Sequence, residues 1–216
     1  MSGLKCVVVD YGLGNVFSVV QAMRELDVDV ELTGDAQAIK AADRVILPGV
    51  GAFGRAADRL RSLRLEEPIL DFIGTGRPFL GICVGMQLLF DMGSEFGEHR
   101  GLGLVKGRVD KIDITLAAEE KLRVPLIGWH PLAPPDDNYD RWAGTPLADL
   151  PRDSAFYFVH SFAAREVEPD ALLAITRHGG AAVTAAVQKD NVIGTQFHPE
   201  RSAHAGQAFL RAFLAQ

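Results

Sequence analysis

Three residues carry the chemistry to be expected of this chain: Cys83, His198 and Glu200. Cys83 stands in Gly81-Ile82-Cys83-Val84-Gly85, the cysteine form of a G-x-nucleophile-x-G elbow. In such an elbow a sharp strand-to-helix turn lifts the nucleophile above a sheet. Small residues two positions to either side let strand and helix approach without Cβ clashes. A thiol at the start of a helix gains from unpaired N–H groups and the helix dipole, which favour its thiolate. The N–H of Val84 is placed to hold an oxyanion. Most free cysteines are small buried hydrophobes, and Cys6, inside an apolar run, reads that way. The glycine frame sets Cys83 apart.

A thiol nucleophile needs a base and a group to orient it. Gln196-Phe197-His198-Pro199-Glu200 supplies both within three residues. His198, at the end of a predicted strand, would face the crevice above Cys83, and Glu200 would accept from its ring and fix the tautomer. A surface turn can carry HPE by chance, but its place at a strand end in a chain with the elbow favours the functional reading. Among the other histidines, His99, His178 and His204 read as solvated, and His130 as a candidate interface residue beside Trp129. His160 also ends a predicted strand and rivals His198 as base. No carboxylate follows it, so it reads as a pocket or structural residue. No His or Cys pair has zinc spacing, so neither metal nor cofactor is expected. The Pro48-Gly49-Val50-Gly51 loop offers the N–H groups of Val50 and Gly51 as the other half of an oxyanion hole. It lacks the Lys-Ser/Thr of a phosphate loop, and the glycines of Tyr11–Asn15 are wrongly spaced for a dinucleotide fingerprint.

Elements of two kinds must position these groups. The first half alternates short apolar runs with amphipathic stretches. Strands are predicted at Lys5–Asp10, Asp29–Leu32, Arg44–Leu47 and Pro78–Ile82. Helices are predicted at Val16–Leu26, after an N-cap at Asp35, at Glu66–Gly74 and at Val84–Met92. This alternation implies an α/β fold: an open, mostly parallel sheet with helices on both faces, of flavodoxin-like kind. Ligands of such sheets bind beyond the carboxyl ends of the strands, where both the PGVG loop and Cys83 fall. The second half adds antiparallel strands. They are predicted at Gly101–Asp113, Val124–Trp129, Ala155–His160, Leu172–Arg177, Ala181–Gln188 and Val192–Phe197, with Lys189-Asp190-Asn191 as a hairpin turn. Pro131–Asp153 reads as a surface excursion, and Ala203–Leu214 as a closing helix. With no repeat or linker, residues 1–216 read as one domain.

The bulk properties set outer limits. The 216 residues are 48% hydrophobic and 23% charged, an ordinary globular balance. The net charge of -6 gives no basic stripe for nucleic acid or an anionic membrane. A bilayer span needs about 20 apolar residues. The longest nearly unbroken apolar run, residues 79–90, is shorter and holds Gly81, Gly85 and Gln87. Two cysteines in different settings and no leader pattern at the N-terminus suggest a reduced, cytoplasmic protein.

Together these motifs resemble the class I glutamine amidotransferases along nearly the whole chain. GICVGMQLLF is similar to the family's nucleophile segment and GTQFHPERS to its histidine–glutamate segment. The resemblance implies Cys83 as nucleophile, His198 as base and Glu200 as orienting group. It also implies that Gly51, Gln87 and the backbone at Ser161 and Phe162 hold substrate glutamine. VDYGLGN, LPGVGAFG, GLGLVKGRV, VPLIGWH and FYFVHSF resemble the branch that passes ammonia to a separate (β/α)8-barrel cyclase in histidine biosynthesis. That branch implies a heterodimer, with Asn15, Trp129, Tyr157 and Arg201 on the partner-facing edge. The chain departs from the family's usual residues at Leu126, His130, Phe162 and Arg201. Arg keeps the usual lysine's charge but changes its geometry.

Three other readings compete. FGEHRGLGL and WAGTPL also resemble paralogues that feed sugar amidotransferases in surface-polysaccharide synthesis. A noncatalytic flavodoxin-like binding protein would leave Cys83 inert, and a peptidase-type cysteine hydrolase would cleave peptides and ignore glutamine.

Overall fold

The computed structural model describes residues 3–113, 124–178 and 181–216. In the first half, β1 (Lys5–Val9), β2 (Asp29–Thr33), β3 (Arg44–Gly49) and β4 (Phe79–Cys83) alternate with α1 (Val16–Arg24), α2 (Ala36–Ala41), α3 (Phe53–Ser62) and α4 (Glu66–Ile73). The elbow helix α5 (Val84–Gln87) follows β4 directly. Then come β5 (Phe90–Gly93), β6 (His99–Arg100), β7 (Val105–Lys111), β8 (Leu126–Pro131), β9 (Ala155–His160) and β10 (Phe162–Arg165). β11 (Leu172–His178), β12 (Ala181–Lys189), β13 (Val192–Thr195) and α6 (Ala203–Leu214) complete the chain.

The main sheet runs β11-β12-β13-β4-β3-β1-β2. From β13 through β2 all pairings are parallel, while β11 and β12 add an antiparallel edge. Strands buried on both faces must be apolar throughout, and β4 is buried at all five positions. A four-stranded sheet, β10-β7-β5-β6, and the ribbon β8–β9 flank the main sheet. Among the described residues no helix is long and apolar enough to cross a membrane.

The α/β architecture agrees with the sequence expectation, and four elements depart from it. Helix α3 occupies a stretch to which the sequence analysis assigns no element. Its buried residues Phe53, Ala56, Ala57 and Leu60 do have helical spacing, but two of the four are alanines and weigh little in an apolar count. The predicted helix Val84–Met92 stops at Gln87. The carbonyls of Leu88 and Leu89 accept from the N–H groups of Leu102, Leu104 and Val105, so the chain turns into β5 instead of continuing its helical ladder. The predicted strand Gly101–Asp113 shortens to β7, and the short β6 lies just before it. The turn between β6 and β7 packs so closely that a Cβ on Gly101 would lie 2.1 Å from the Phe90 carbonyl oxygen. Residues 131–153 are more than a surface excursion. Trp142 and Leu147 are buried, and the Trp142 indole donates to the Leu173 carbonyl at 2.9 Å.

Candidate active site

Cys83 ends β4 with φ 55 and ψ -109, a conformation that non-glycine residues seldom adopt. The glycines around it answer to crowding. A Cβ on Gly81 would stand 2.6 Å from the Gly85 carbonyl oxygen, and one on Gly85 would stand 1.9 Å from that of Leu47. The sulfur side chain is buried on the floor of a cavity of about 490 Å³, whose lining includes Gly51, Gln87, Glu95, His160, Phe162 and His198. A wider, more open hollow of about 1050 Å³ adjoins it across Val50–Ala52, Glu95 and Phe96.

His198 follows β13, at the start of a 3₁₀ turn over Pro199–Arg201. Its Nδ1 lies 2.8 Å from Oε1 of Glu200, whose side chain is only 1% exposed. The His198 backbone is held on both sides. Its N–H donates to the Tyr157 carbonyl at 2.9 Å, and the Ser202 hydroxyl donates to its carbonyl at 2.6 Å. Nε2 is buried without an aligned hydrogen bond, although Cys83 is near enough to act on the charge of the ring. Burial opposes a proton on His198. The Cys83 sulfur and the Glu200 carboxylate outweigh it and push the imidazole up to about 10. His160 lines the same cavity and goes the other way. Burial brings it down to about 4, with only partial opposition from the Phe162 carbonyl that its Nδ1 faces at 2.8 Å. Opposite shifts in one cleft mark out which ring can act as an acid.

The remaining expected residues fall into two groups. Gly51, Gln87, Ser161 and Phe162 all line the cavity. Gln87 spends its amide hydrogens on the Phe162 carbonyl at 3.1 Å and on Oε1 of Gln196 at 3.0 Å, which leaves its own oxygen to accept from a ligand. Gly51 takes φ +89, and a Cβ there would meet nothing within 4 Å, so the loop has room to turn. Val84, first in α5, has an N–H outside the intrahelical ladder. Val50 lines the cavity beside it.

Of the residues expected at a partner-facing edge, Trp129 meets Tyr157 edge-on at 6.1 Å, and the Arg201 guanidinium lies 4.4 Å over the Tyr157 ring. Asn15 stands just before α1 and accepts from the Ser18 hydroxyl. His99 and His178 are not simply solvated. The His99 ring fills the space beside Gly54, and His178 packs edge-on against His130. His204 is exposed, as expected. Leu126 is fully buried.

Glu95 was missed in the sequence. Its carboxylate accepts from the N–H of Phe53 at 3.1 Å and borders both hollows. The N-terminus of the unexpected helix α3 helps to hold it there. The arrangement as a whole can form and cleave a thioester, with a carboxylate at the mouth to meet a cationic group.

Residues 7–216 match the glutamine amidotransferase class-I family, and the chain belongs to it. Its relatives include imidazole glycerol phosphate synthase subunit HisH of Rhodopirellula baltica, 44% identical over 95% of both chains. Subunit HisH 1 of Legionella pneumophila (strain Lens) is 41% identical over 96% of this chain and 97% of its own. Among solved structures, PurLQS from Thermotoga maritima has a TM-score of 0.70 at 20% identity, covering 99% of this chain and 98% of that one. A crystal structure of a glutamine amidotransferase gives 0.69 at 18% identity, with 97% of each chain covered. These two share the fold.

Proposed function

We propose that this chain is the glutaminase subunit of an imidazole glycerol phosphate synthase: it releases ammonia from glutamine and passes it to a separate (β/α)8-barrel cyclase in histidine biosynthesis. One observation carries the chemical part. Cys83 and His198, which is held from behind by the buried Glu200, line one cavity of about 490 Å³, a size that suits one amino acid. The identities to HisH subunits, over nearly the full length of both chains, support the pathway.

In this reading the Cys83 sulfur attacks the side-chain amide carbon of glutamine, and the carbonyl oxygen takes up the negative charge. The N–H groups of Val84 and of the Val50–Gly51 loop hold that oxygen. A donor of this kind typically contributes about 10²–10³ in rate. When the oxyanion collapses, the C–N bond breaks and His198 gives its proton to the departing nitrogen, which leaves as neutral ammonia. The high proton affinity of His198 suits that step. Now neutral, His198 takes a proton from water. The resulting hydroxide attacks the thioester, sulfur departs and glutamate is released. Glu95 meets the α-ammonium group, and the Gln87 oxygen accepts from the side-chain amide. Trp129, Tyr157 and Arg201 face the cyclase, with Asn15 at the same edge. Both cysteines are free and buried, which suits a reducing cytoplasm.

The test is glutamate release by the purified chain, alone and with the matching cyclase plus its ribotide ligand, with Cys83→Ala as the blank. The expected result is low activity alone, strong stimulation by the liganded partner and loss of both in the variant. Activity that survives Cys83→Ala would overturn the assignment of the nucleophile. Cys83-dependent activity that the partner fails to stimulate would overturn the pathway.

A further inference from the structure

With only four residues in α5, the helix dipole gives Cys83 little help, since such effects need aligned turns. A second source of positive potential lies on the neighbouring strand. β13 pairs with β4 in parallel, with Thr195 opposite Ile82, so the next rung brings Gln196 abreast of Cys83. Gln196 is fully buried, and its backbone N–H is tied to the Ala185 carbonyl at 2.8 Å. Its side-chain Nε2 lies 3.6 Å from the Cys83 sulfur.

The orientation of this amide is fixed from outside inward. The Phe162 carbonyl can only accept, so the Gln87 atom that faces it at 3.1 Å is the nitrogen. That same nitrogen lies 3.0 Å from Gln196, which must turn its oxygen towards it and its NH₂ towards the sulfur. We infer that Gln196 is a hydrogen-bond donor to the Cys83 thiolate, held in the donating orientation by the relay from the Phe162 carbonyl through Gln87. This deepens the glutaminase reading and rests on it. A bond to an ionised acceptor is roughly twice as strong as one between neutral groups, so the amide favours thiolate over thiol.

The experiment follows the rate of Cys83 alkylation by iodoacetamide against pH, read by mass spectrometry of the full chain. Cys6 is fully buried and serves as the internal blank. In Gln196→Met the pH of half-maximal rate should rise by about one unit, so that alkylation at pH values well below the midpoint slows about tenfold. Gln196→Glu, which sets a carboxylate against the sulfur, should move it further. An unchanged midpoint in either folded variant, or a slowing equal at every pH, would reduce Gln196 to a packing residue and overturn the inference. If neither variant folds, Gln87→Met, which frees the Gln196 amide to turn, should move the midpoint the same way by less, and no movement would again overturn it. Failure of the glutaminase reading itself would show separately, as unaltered chain that releases no Cys83-dependent glutamate.

Discussion

The cleft around Cys83 and the ribbon β8–β9 share a strand and meet opposite needs. β9 turns Phe156, Phe158 and His160 inward, and Tyr157 and Val159 outward. On the inner side, polar groups are closely tied to one another: Glu200 to His198, His160 and Gln87 to the Phe162 carbonyl, and Gln87 to Gln196. On the outer side, Ile127, Trp129 and Val159 are 57%, 51% and 37% exposed. Large apolar side chains gathered on one exposed face mark an interaction surface. The chain therefore closes its chemistry internally and leaves the apolar side of its ribbon exposed, the side proposed above to face the cyclase.

The largest expected effect lies at the crowded end of this contrast. Gly85→Ala places a methyl group 1.9 Å from a backbone oxygen, which only backbone movement can relieve. It should cost about 4 kcal/mol or more and lower the thermal midpoint steeply, as followed by circular dichroism. Near-normal melting would mean that the elbow is looser than its packing implies.

Titration of His160 sharpens the contrast from within. Its folded-state value near 4 lies below the unfolded value near 6.5. The unfolded chain therefore takes up the proton first on acidification. The stability that buried neutral His160 contributes is complete above about pH 6.5 and is lost as pH falls towards 4, by about 3 kcal/mol at most. His198, raised to about 10, has the opposite sign: its contribution is complete below about pH 6.5 and is lost as pH rises through about 10. Denaturant titrations across pH 4–7 should show less acid destabilisation in His160→Gln than in the unaltered chain. Equal slopes would place the acid sensitivity elsewhere.

At the open end, Trp129→Ala should weaken cyclase binding by about 2 kcal/mol, roughly 30-fold, by calorimetric titration. The melting of the isolated chain should move by no more than about 0.5 kcal/mol. A large loss of stability with unchanged affinity would show that the ribbon is core and would erase the contrast.

What could be read in the sequence follows the same division. The Cys83 elbow was legible because its two glycines frame the cysteine within one short string, although the contact that demands Gly85 comes from Leu47 on β3. The His198–Glu200 pair was legible because both members sit in one short turn. The end of α5 was not, because it depends on carbonyls that bond to residues 102–105. Glu95 was hidden for a related reason, since its place is set by the N-terminus of the unforeseen helix α3. Gln196 appeared only as a letter in the QFHPE string. Its meaning comes from the register between two strands more than a hundred residues apart in the chain.

That register also sets a schedule. β13 sits inside the sheet, between β4 and β12, although it comes later in the chain than the other six strands of that sheet. Cys83 is synthesised long before the neighbour that supplies Gln196, and before the turn that carries His198 and Glu200. On the proposed triad, a nascent chain would expose Cys83 without its base until residues 192–200 have emerged and β13 has entered its slot, so hydrolysis would be withheld from unfinished copies.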